Sequence, residues 1–171
     1  MTSDFSERLR KTIKPILDKV SAEDAIIAKA IYEKEENERL REEREAANAM
    51  KAEHFFNSSI QRIASSVADE LSGTLQDDTL SPEGNEFSYL VLVKPKLDSE
   101  ACYVHFKISC SDRAFSIQVE ADGAAKVGFG KVQCFTSSEF TAEIAQDWLE
   151  DIAIEAAKFI VDNNRPSKLS D

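Results

Sequence analysis

The chain has 171 residues, 42% of them hydrophobic and 31% charged, and a net charge of −11. That length fits one domain, or a domain with an appendage, and the apolar fraction suffices for a packed core. The negative field opposes binding to phosphate backbones, which needs clustered Lys and Arg, and it opposes adhesion to anionic membranes.

No direct nucleic-acid contact and no membrane attachment are therefore expected. A basic protein partner is favoured by charge, although acidity alone also serves solubility. Residues 1–20 scatter Arg8, Arg10, Lys11, Lys14 and Lys19 among apolar residues, without the continuous apolar stretch of a secretory leader. Apolar runs elsewhere fall far short of the ~20 residues that span a bilayer. A cytoplasmic protein is expected.

Residues 4–20 read as a helix. Phe5, Leu9, Ile13, Ile16 and Val20 recur at spacings of four, four, three and four, which is one helix face. Pro15 removes a backbone donor and predicts a kink or a restart. Ser21 and Asp24 stand three apart like a capping box. From there to Gly73 no Gly or Pro intervenes, which permits one long helix or a helix pair. Ile27 and Ile31 continue the apolar face. In residues 33–45, Leu40 is the one aliphatic side chain larger than Ala. A helix there must lean on charge pairs such as Glu35 with Arg39, Lys34 with Glu38, Arg39 with Glu43 and Arg41 with Glu45.

The stripe returns with Ala49, Ala52, Phe56, Ile60, Ile63, Val67 and Leu71, which predicts an amphipathic helix over 49–72 packed on a sheet. Gly73 suits a C′ cap. Residues 74–86, with Asp77, Asp78, Ser81, Pro82, Gly84 and Asn85, read as a polar loop.

Four antiparallel strands are predicted next. Residues 87–94 are apolar on both phases, as in a strand covered on both sides. In 103–110, Val104, Phe106, Ile108 and Cys110 alternate with His105, Lys107 and Ser109. After a turn at Ser111 and Asp112, residues 115–121 alternate again. Asp122-Gly123 signals a two-residue hairpin. The last strand covers about 126–135, with a glycine bulge expected between Phe129 and Val132. Thr136 and Glu139 form a capping box that opens a helix over 137–163. Phe140, Ile144, Trp148, Ile152, Ala156 and Phe159 mark its core face, and Asn163, Asn164 and Pro166 stop it.

The fold class is thus α+β: a helical N-terminal half, then a four-stranded antiparallel β-meander covered by helices 49–72 and 137–163. Residues 1–48 form a helical oligomerisation arm and 49–171 the core domain.

Catalytic chemistry finds little purchase. His54 lies beside Phe55 and Phe56, and His105 beside Lys107, so neither shows the carboxylate-assisted relay of a general base. Paired acids (Glu35/Glu36, Glu42/Glu43, Asp69/Glu70) sit on adjacent helical positions that diverge, and Asp77-Asp78 lacks the spacing of a calcium loop. Gly128-Phe129-Gly130-Lys131 lies inside a strand, unlike a phosphate loop. Asp112-Arg113 reads as a hairpin tip. Cys102 and Cys110 fall eight residues apart on the apolar phase of one strand, too far for a shared metal or disulfide, and Cys134 leaves an odd thiol. Reduced, hydrophobe-like cysteines are expected.

No catalytic, metal or cofactor-binding residue is assigned. The leading expectation is a non-enzymatic interaction or assembly protein, a homo-oligomer built through Phe5, Leu9, Ile13, Ile16, Val20, Ile27 and Ile31. One alternative is a small acidic chaperone or inhibitor that sequesters a basic or secreted protein. Another is an enzyme or ligand sensor with a pocket between sheet and C-terminal helix near Trp148, His105 and Tyr89.

Overall fold

The computed structural model describes residues 2–77, 85–93, 102–123 and 128–163, with side chains from Phe5 onward. Asp78, Ser81, Pro82 and Gly84 of the expected loop, Lys94, the strand start at Lys126, and the helix stop at Asn164 and Pro166 lie outside them. The chain divides into two compact units, Met1–Glu43 and Arg44–Asp171.

The described residues of the first unit are all helical, as part of α1 (Thr2–Phe55). The helix neither restarts at Pro15 nor begins at Ser21. Pro15 deprives the Lys11 carbonyl of its ladder bond, but that single lost bond does not end the helix. In the charged stretch, Arg39 is the hub. Its guanidinium grips Glu36 through two bonds, 2.6 and 3.0 Å, and also pairs with Glu43. The expected partner Glu35 gives way to Glu36, one residue closer along the helix. The bond from Arg39 holds the Glu36 carboxyl below its ordinary range.

The second unit contains α1 from Arg44 onward, a π-helical turn (Phe56–Ile60), α2 (Gln61–Glu70), five strands and α3 (Ala142–Asn163). The strands are β1 (Gly73–Asp77), β2 (Glu86–Val93), β3 (Cys102–Cys110), β4 (Ala114–Asp122) and β5 (Gly128–Thr136). They form an antiparallel meander in the order β1-β2-β3-β4-β5. α2 lies over β1 and β2, α3 lies mainly over β4, and the two helices meet.

Alternation decides which side chains enter the core. Tyr89, Val91 and Val93 of β2, Cys102, Val104, Phe106 and Ile108 of β3, Phe115, Ile117, Val119 and Ala121 of β4, and Phe135 of β5 are buried on the face that the helices cover. From the helices come Ala52, Phe55, Phe56, Ile60, Ile63, Val67, Leu149, Ile152 and Ile160. Phe56 stacks on Tyr89 with ring centroids 4.3 Å apart. Phe140 stacks on Phe115 at 4.0 Å and meets Phe55 and Phe135 edge-on at 5.5 and 5.9 Å.

Several expectations are corrected. The sheet has five strands, not four: Gly73, expected to cap a helix, and residues 74–77, expected to begin a loop, pair with β2 from Gly73 opposite Val93 to Asp77 opposite Tyr89. Gly73 is thus a strand residue, and the left-handed position that ends α2 falls to Ser72, at φ 52°. Glycine is nevertheless required at 73, since a Cβ there would stand 2.8 Å from the Leu92 carbonyl oxygen. β2 is covered by helices on one face. Leu90 and Leu92, on the other, are half-buried.

Asp122-Gly123 is not a two-residue turn, because Asp122 pairs with Gly128 and five residues intervene. β5 has no bulge: the register runs unbroken from Gly128 to Thr136, which places Lys131 and Gln133 on the core phase and leaves Val132 exposed. A sheet edge tolerates this because long polar side chains there reach water.

The Thr136–Glu139 capping box forms, with the Thr136 hydroxyl donating to Glu139 at 2.7 Å. It closes a turn rather than a helix. These bonds from Thr136 keep the Glu139 carboxyl below its ordinary range. α3 begins at Ala142, where the Thr141 hydroxyl accepts the Ile144 amide at 3.3 Å. Its core face is Ala145, Leu149, Ile152, Ala153, Ala156 and Ile160: Ile152 and Ala156 belong to the expected stripe, while Ala145, Leu149 and Ile160 take the places expected of Ile144, Trp148 and Phe159. Ile144 is exposed, and Trp148 and Phe159 are half-buried at the margin.

Candidate functional site

The seven residues of the N-terminal stripe, Phe5, Leu9, Ile13, Ile16, Val20, Ile27 and Ile31, are all between 40% and 69% exposed. Leu17, Ile26 and Tyr32 are further exposed apolar side chains of the same helix, and the stripe's periodicity passed over them because they fall off its face. A lone helical segment cannot bury its own face, so within this unit the stripe has nothing to pack against. Soluble proteins rarely expose a continuous apolar surface of this length without using it.

Charge is segregated along the same helix. Residues 8–19 hold five bases and one acid, a net +4. Residues 23–43 hold eight acids and four bases, a net −4. Intrahelical pairs offset a little of this: Lys11 reaches Glu7 at 3.1 Å, Lys19 reaches Glu23 at 3.9 Å, and Lys29 reaches Glu33 at 3.6 Å. All are exposed and therefore weak.

Among the described residues of the second unit, the side chains weighed for chemistry in the sequence lie apart. His54 is exposed on α1, at a shallow depression with Met50, Lys51, Phe55 and Phe140. His105 lies on the sheet face away from the helices, opposite Glu120. Tyr89 is on the covered face, so Tyr89 and His105 cannot line one pocket beside Trp148. Asp112 and Arg113 pair with each other at 3.4 Å in the β3–β4 turn, and the Ser111 hydroxyl accepts the Arg113 and Ala114 amides there. Gly128 and Gly130 lie within β5.

Cys102 is buried. Cys110 is half-buried, and burial together with nearby Glu45 pushes its thiol above the ordinary value. Cys134 faces Ser116 on the uncovered side of the sheet. None of the three forms a disulfide. Among the described residues no group of three or more His, Cys, Asp or Glu is placed to hold a metal, and no helix is long and apolar enough to cross a membrane.

Sequence reasoning also missed an open groove of about 320 Å³ between α2 and α3, lined by Ile63, Val67, Ile154 and Ala157. Arg62 closes one side of it by bonding Glu150 at 2.7 Å, which holds that carboxyl below its ordinary range. Only the packing of α2 on α3 creates this groove, so no periodicity could announce it.

The chain matches no protein-family model, no curated protein and no solved structure.

Proposed function

We propose that the chain is a non-enzymatic assembly protein that self-associates through the apolar face of residues 5–31. The supporting observation is the exposure of Phe5, Leu9, Ile13, Ile16, Val20, Ile27 and Ile31 along a single helix. Fully burying each such side chain is worth about 1.5–3 kcal/mol, so a partner that covered a few of them would repay the entropy of association. A second copy is the simplest such partner, because it offers the same stripe. Three cysteines that form no disulfide accord with a reducing, cytoplasmic setting. The net charge of −11 favours a basic protein as any further partner.

The test substitutes Ile16→Asp and Val20→Asp together in the full chain. Light scattering at micromolar concentration should show an oligomer for the parent and a smaller species for the variant. The thermal transition of the Arg44–Asp171 unit should not move. A monomeric parent at that concentration would sink the reading.

A further inference from the structure

We infer that two copies pair antiparallel along residues 5–31, each setting its basic residues 8–19 beside Glu23 and Asp24 of the other. This rests on the self-association proposed above and adds its geometry.

The apolar face has one gap. Between Val20 and Ile27 the positions that fall on it, three and four residues past Val20, are Glu23 and Asp24. In a parallel, in-register pair every residue meets its own copy. Four carboxylates then crowd the seam, and two segments of net +4 lie side by side. The Lys19 pair within each helix relieves Glu23 only weakly, at 3.9 Å and in solvent.

An antiparallel pair centred on residue 18 removes these conflicts. Phe5 meets Ile31 of the second copy, Leu9 meets Ile27, and Ile16 meets Val20. Glu23 and Asp24 come level with Ile13 and Thr12, flanked by Arg10, Lys11 and Lys14. The acidic gap of each copy thereby lies within the basic segment of the other, and opposite charges set orientation more than they set affinity.

The end of the stripe agrees with this centre. In this register Phe5 and Ile31, the first and last residues of the stripe, stand opposite each other. Residues 33–43, with Glu33, Glu35, Glu36, Glu38, Glu42 and Glu43, lie beyond that contact. In a parallel pair those glutamates would run beside their own copies.

The test places p-benzoylphenylalanine at Phe5 in the full chain, irradiates it, and maps the cross-links by mass spectrometry. Residues 5 and 31 stand about 39 Å apart along one helix, so a cross-link between them joins two copies. Cross-links to residues 27–35 are expected. Cross-links to residues 2–9 in the covalently joined dimer, with none to 27–35, overturn the antiparallel arrangement and leave self-association standing. A protein that light scattering shows to be monomeric overturns both. A second measurement uses charge: Arg10→Glu with Lys14→Glu should weaken association about tenfold, and adding Glu23→Lys with Asp24→Lys in the same chain should restore it. A parallel pair would instead associate more tightly in the first variant, because its side-by-side segments of net +4 would lose their repulsion.

Discussion

Asn48 is 4% exposed, near the start of the part of α1 that belongs to the second unit. Its amide nitrogen donates to the Ser111 carbonyl and to the Ser137 hydroxyl, both at 2.8 Å. One side chain thus ties a helix to the β3–β4 turn and to the turn that follows β5. A buried amide that loses its partners costs more than the bonds themselves contribute, because the groups left behind are also cut off from water. Asn48→Ala is therefore expected to lower unfolding stability by about 1–3 kcal/mol, measured by urea denaturation. Ser137→Ala should cost less, since Asn48 keeps Ser111. Equal, negligible losses would mean that water replaces both bonds. Nothing in the linear pattern announced this role. Asn48 looks like a solvent-facing helix residue, and the groups that satisfy it lie more than sixty positions away.

At the scale of elements, the π-helical turn reconciles the long helix with the sheet. Ala52, Phe56, Ile60, Ala64 and Ala68 are buried at steps of four. At 3.6 residues per turn, four such steps drift by about 160° around a helix. The extra residue in Phe56–Ile60, where the Gln61 amide reaches back five residues to the Phe56 carbonyl, takes up about 100° of that drift. Deleting the exposed Asn57 is expected to restore a uniform α-helix and swing Ile63 and Val67 off β2. The loss should be about 3 kcal/mol or more from those two side chains. Asn57→Ala should be close to neutral in the same urea titration. A neutral deletion would show that the turn does not set the register.

The elements also show what was legible in the sequence. The long helical stripe, the clean alternation in β3 and β4 and the α+β order followed from residue period, because each segment buries one face of many residues. β1 escaped because Leu75 is its single large apolar residue. Its strand geometry comes from backbone pairing with β2 and leaves no side-chain rhythm. The face of α3 was ambiguous because the expected and observed stripes share Ile152 and Ala156. Small Ala145 lost to large Ile144 in the sequence pattern but fits closer to the sheet. The candidate surface was legible as a stripe and not as an exposed one, since periodicity shows that a face is apolar without showing what covers it.

For the whole molecule, the two units draw stability from different sources. Every buried hydrophobic side chain among the described residues lies in Arg44–Asp171, between Ala52 and Ile160. The Met1–Glu43 unit has exposed stripe residues and solvent-facing ion pairs. An isolated helix of that kind is marginal in water, because packing of the apolar face supplies most helical stability. If self-association provides that packing, helix formation in the first unit becomes linked to protomer concentration by mass action. Two thermal transitions are then expected when circular dichroism at 222 nm is followed in the full chain. The first should move upward as concentration rises from 1 to 100 μM (about a hundredfold, enough for a clear shift). The second should stay fixed and should coincide with the transition of a chain lacking residues 1–43. Loss of the stripe removes the partner's cover but none of the side chains that fill the core, so the shortened chain should unfold cooperatively on its own. A single concentration-independent transition in the full chain, joined to an unfolded shortened chain, would show instead that the N-terminal helix is part of the core and that its exposed face has no partner to seek.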